Sequence, residues 1–113
     1  MKFALRGLLA LTAPLAVALF APVAQAAAGN VDAGRVKANT CMGCHGIPKY
    51  NNVYPTYRVP KIGGQSAEYI GAALTAYKSG ERSHGTMHAQ AASLSDQDIA
   101  DIAAFIATAP KHP

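Results

Sequence analysis

Cys41-Met42-Gly43-Cys44-His45 is the stretch on which the reading of this 113-residue chain turns. Two cysteines three residues apart lie on one side of a helical turn, so both sulfurs can reach one edge of a planar group. The residue that follows then presents its imidazole from the same side. The pattern C-x-x-C-H therefore reads as a haem attachment site, with Cys41 and Cys44 bonded to two vinyl groups and His45 as an axial ligand of the iron.

Two other readings of a C-x-x-C pair fit less well. A redox dithiol opens a helix after a strand, where the helix dipole lowers the thiol pKa, whereas here the pair is expected to close a helix with no strand before it. A tetrahedral zinc site needs a second pair of ligands at matching spacing, and the chain has no further cysteine. An exported pair of cysteines would ordinarily form a disulfide, but the histidine directly after the second one favours haem.

Export is expected from the N-terminus. Lys2 and Arg6 precede an uncharged run from Gly7 to Ala28 that contains the small-x-small sequence Ala24-Gln25-Ala26. That order of charge, apolar run and cleavage point marks residues 1–26 as a secretory signal peptide, with Ala28 as a second possible cut. The alternative is a retained membrane anchor; Pro14, Pro22 and the abundance of Ala speak against it. The remaining residues, 27–113, form one small domain of a size that commonly recruits a cofactor to complete its core. Within it eight Lys and Arg stand against six Asp and Glu, a net charge of +2 without a basic cluster, so nucleic acid is not an expected partner. Two haem propionates would bring the domain close to neutrality.

The domain reads as all-α, with three helices and long loops. The first is expected from Val31 to Cys44, with Asn30 as N-cap and Asp32 in its first turn; Gly34 weakens it in isolation. From Gly46 to Gln65 the density of Pro, Gly and Asn predicts a loop, and Tyr50, Tyr54 and Tyr57 are expected to anchor it by packing on an apolar object. The second helix starts after Ser66 and ends at Gly80, with Tyr69, Ile70, Ala73, Leu74 and Tyr77 as its apolar stripe. The third starts at a capping box, Ser95 with Asp98, buries Ile99, Ile102, Ala103 and Ile106, and stops before Pro110. Between these two helices, Glu81 to Leu94 is polar and patternless apart from a turn near Ala89 to Ala92.

An electron carrier needs the sixth position of its iron filled, since an open one admits oxygen. Met42 lies within the attachment motif and cannot reach the opposite face, which leaves Met87, His84 and His88. Most methionines are core side chains, but Met87 sits in a polar segment with no apolar stripe of its own.

From about Asp32 to Ala107 the chain resembles the class I c-type cytochromes, most closely the small bacterial c-553 type and one half of the two-haem, c4-like carriers. The likeness lies in Cys41 to Gly46, in Val59-Pro60-Lys61-Ile62-Gly63-Gly64-Gln65, in Tyr77 to Arg82 leading to Met87-His88, and in Leu94 to Ala100. The resemblance implies a cytochrome c fold wrapped around one covalently bound haem c, with the first and last helices crossed. It further implies Met87 as the sixth ligand and a Pro60 carbonyl accepting the His45 ring proton, a bond that fixes the imidazole and strengthens it as a donor. Thioether ligation would place the potential above that of a bis-imidazole haem. The segment from Gly46 to Val59 departs from the family pattern in length and in its tyrosines.

The expected function is outer-sphere electron transfer in the periplasm between a donor reductase or dehydrogenase and an acceptor oxidase or reductase, with no substrate transformed. The alternatives are a haem-based sensor or peroxidase-like enzyme with a labile sixth ligand, and a permanent electron-transfer subunit of a larger redox complex.

Overall fold

The structure is a computed structural model that describes residues 28–111; the proposed signal peptide, residues 1–26, and its alternative as an anchor lie outside them. Seven elements follow in order: α1 (Val31–Lys37), α2 (Asn39–His45), β1 (Asn51–Asn52), β2 (Tyr57–Arg58), α3 (Ala67–Ser79), α4 (Gly85–Ala91) and α5 (Asp96–Thr108). Among the described residues no helix is long and apolar enough to cross a membrane.

Local chemistry sets the helix ends. The Asn30 side chain accepts the Ala33 N–H at 2.9 Å, the Ser66 hydroxyl accepts the Tyr69 N–H at 3.1 Å, and Ser95 and Asp98 exchange both bonds of a capping box. Gly80 closes α3 at φ 84°, a left-handed conformation that glycine adopts without steric cost. All four expected caps are therefore in place.

Three expectations need correction. The single opening helix is two, because Ala38 departs from helical geometry at ψ 2° and separates α1 from α2. The segment read as patternless holds α4, whose Met87 and Ala91 are spaced to share one face while the rest of its surface is polar. The loop from Gly46 to Gln65 contains a short antiparallel hairpin, with Asn51 opposite Arg58 and Asn52 opposite Tyr57.

The core forms where α1, α3, α4 and α5 converge. Ile70 and Leu74 from α3, Ala91 from α4 and Ile99, Ile102, Ala103 and Ile106 from α5 are all buried, together with Ala38. The stripe expected on the last helix is thus entirely inside. As the resemblance implied, the first and last helices cross. Gly34 makes that crossing possible: a Cβ there would collide with the backbone of Asp101. Asp101, only 2 % exposed, clamps the two helices together, accepting the Asn30 N–H at 2.8 Å, Lys37 Nζ at 2.6 Å and Gln97 Nε2 at 2.7 Å. Lys37 also reaches Asp98 at 2.7 Å. With its oxygens so occupied, above all by the Asn30 N–H, the Asp101 carboxyl is held down to about 2.

Candidate haem site

Helix α2 ends at His45, which places both cysteines and the histidine in its last turns, as the motif requires. They open onto a cavity of about 630 Å³, a size typical of small-molecule sites. Cys41, Cys44, His45, Pro60 and Met87 all line it, so the expected attachment residues, both expected ligands and the proline beside His45 reach the same space. Its apolar wall comes from the helices behind, including Leu74, Ile102 and Ile106. Met42 does not line the cavity, in keeping with its exclusion as a ligand.

The tautomer of the neutral His45 ring follows from geometry. Its Nδ1 lies 2.7 Å from the Pro60 carbonyl oxygen. A carbonyl only accepts, so Nδ1 carries the proton and the lone pair resides on Nε2, the atom then available to a metal. This is the bond that the family resemblance implied. Cys41 is half-buried and Cys44 exposed. Burial pushes the Cys41 thiol above its ordinary value.

Both histidines near Met87 have other partners, and His84, unlike His88, lines the cavity. His84 is the N-cap of α4: its Nδ1 accepts the Met87 N–H at 3.4 Å, an assignment that places the ring proton on Nε2. His84 also stacks edge-on against Tyr57, with ring centroids 4.7 Å apart. His88 donates from Nδ1 to the Tyr77 carbonyl at 2.7 Å and does not line the cavity. Met87 is partly buried, packs against the core and faces the cavity through α4.

The tyrosine-rich loop divides in two. Tyr50 and Tyr57 line the cavity as expected, and the Tyr57 hydroxyl lies 3.0 Å from Thr86 Oγ1, joining the hairpin to α4. Tyr54 does not: it is 93 % exposed at the hairpin tip, because the turn from Val53 to Thr56 points away from the body of the protein. Sequence reasoning also missed the contribution of Arg82, whose guanidinium lies 4.7 Å over the Tyr77 ring and 3.4 Å from the Tyr69 hydroxyl on the cavity wall. The signal was available only as a cation two residues beyond the Gly80 cap of α3, which has no single meaning.

The donor set fits a haem: two sulfurs on one wall, an imidazole with its lone pair on Nε2, a thioether in reach of the same space, and apolar side chains around them. The comparisons with known proteins agree. The cytochrome c family model matches residues 31–110. Over 81 residues the chain is 43 % identical to cytochrome c-554(548) of Halomonas halodenitrificans, covering 69 % of this chain and 94 % of that protein. It is 43 % identical over 86 residues to cytochrome c4 of Thiocapsa roseopersicina, covering 75 % of this chain and 43 % of that one. With cytochrome c4 of Pseudomonas aeruginosa the identity is 40 % over 82 residues, covering 73 % and 39 %. The matched stretch thus spans less than half the length of these c4 relatives and almost all of the c-554(548) protein.

Proposed function

The chain belongs to the cytochrome c family, and from that membership we propose that it is a periplasmic, single-haem carrier of electrons between redox proteins, with His45 and Met87 as axial ligands. It is an electron-transfer c-type cytochrome of class I with covalently bound haem c. When bound, the haem supplies a one-electron ferrous–ferric couple.

The observation that carries the ligand assignment is the arrangement of nitrogens and sulfur around one cavity. The His45 tautomer leaves Nε2 as a donor, the lone pair of His84 Nδ1 is spent on capping α4, and His88 is turned to Tyr77 outside the cavity. Met87 is the side chain that offers a thioether to the cavity from α4, where Thr86 and Gln90 offer only oxygen and amide groups, poorer ligands for haem iron. Cys41 and Cys44 would hold the group covalently, the Pro60 carbonyl fixes the imidazole through its Nδ1, and Leu74, Ile102 and Ile106 give the cavity an apolar wall that would exclude water. On this reading its service is the transfer of single electrons to docked redox proteins.

Support for the periplasm comes from the charge, apolar run and cleavage order of residues 1–26. The ligand assignment is tested by Met87→Ala. The reduced variant should bind carbon monoxide far faster than the native protein, and a variant with native ligand binding and native ferric spectrum contradicts Met87 as a ligand.

A further inference from the structure

We infer that Lys61 provides the counter-charge for a propionate carboxylate of the haem, an inference that rests on the haem site described above. Lys61 directly follows Pro60, the residue whose carbonyl holds His45, and lines the same cavity. Its Nζ is buried and has no hydrogen-bond partner in the structure.

That arrangement is unfavourable for an ammonium left alone. Lysine carries three donors and no acceptor, and its charge is strongly hydrated, so removal from water without an anion is among the costlier things a chain can do. Buried charges are accordingly found paired. The cavity offers no protein partner: its described lining includes Lys37, Arg58, Lys61 and Arg82 but not one Asp or Glu. Lys37 is taken up by Asp98 and Asp101, Arg82 by the Tyr69 hydroxyl and the Tyr77 ring, and Arg58 is exposed to solvent. Lys61 is the lining cation whose charged atom is buried and unmatched among the described residues. The anion must therefore arrive with the occupant, and haem is a ligand that brings two carboxylates on an otherwise apolar body.

The test compares native holoprotein with Lys61→Met and Lys61→Arg at one fixed pH, by midpoint potential and by the propionate bending band of the resonance Raman spectrum. In the Met variant an uncompensated carboxylate favours the ferric state, so the potential falls and the propionate band moves; the Arg variant returns both toward native values. A Met variant whose propionate band stays at the native position overturns the inference, whatever its potential does. So does an Arg variant that departs as far as the Met variant. If the Met variant does not accumulate, Lys61→Gln is read in the same way. Loss of the axial sulfur signature in the native protein would contradict Met87 as ligand, yet the Lys61 comparison would stand, because it needs only an attached haem.

Discussion

Gly34 and the backbone of Asp101 approach so closely where α1 crosses α5 that no side chain fits between them. The crossing is the frame on which α2, and with it the attachment motif, is suspended. Gly34→Ala forces the two helices apart, and we expect a loss of about 1–3 kcal/mol, the range for overpacked contacts, although alanine is the better helix former. Chemical denaturation of the holoprotein measures it; unchanged stability would mean that the crossing is loose.

The Asp101 cluster makes stability depend on pH at both ends. A carboxyl with a folded pKa of about 2, against 3.8 ordinarily, binds its proton less readily in the folded state. Its contribution is complete above about pH 5 and is lost as the pH falls through 4 toward 2. Lys37, raised above 10.5 chiefly by its bond to Asp101, contributes fully below that value and loses its contribution as the pH rises through its folded pKa. Unfolding midpoints across pH for native protein and Asp101→Asn should differ most near neutrality and converge in strong acid.

Replacing Ile102, 1 % exposed, with Ala removes a side chain shared by the core and the cavity wall. The expected cost is about 2–5 kcal/mol, with faster exchange of the amides of α5.

The two histidines beside Met87 should separate by function. His88→Ala leaves the absorption spectrum of both oxidation states as it was, since His88 faces Tyr77 and not the cavity. His84→Ala removes the cap of α4 and should cost on the order of 1 kcal/mol while loosening the segment that carries Met87. A changed axial spectrum in the His88 variant would mean that His88 reaches the iron.

What the sequence made legible was local. Ser66, Gly80 and the Ser95–Asp98 box act within four residues, and the isoleucines of α5 repeat at helical spacing, so caps and core face could be read directly. The attachment motif likewise occupies five consecutive residues. Helix α4 escaped because it is seven residues long and polar over most of its surface; the spacing of Met87, Ala91 and Leu94 was its one visible sign. The break at Ala38, the two-residue strands and the outward turn of Tyr54 depend on tertiary placement. The burial of Asp101 does too, since its partners Asn30 and Lys37 lie 71 and 64 residues away in the chain.

The proposed electron transfer requires a haem held covalently at the end of α2 and ligated by His45 and Met87. The most direct measurement is the visible and near-infrared spectrum of protein purified from its native host, in both oxidation states, beside that of Met87→Ala. We predict a low-spin, covalently attached haem with a weak far-red sulfur-to-iron band in the ferric native protein, absent from the variant. A colourless protein, or a far-red band that survives the substitution, would contradict the account.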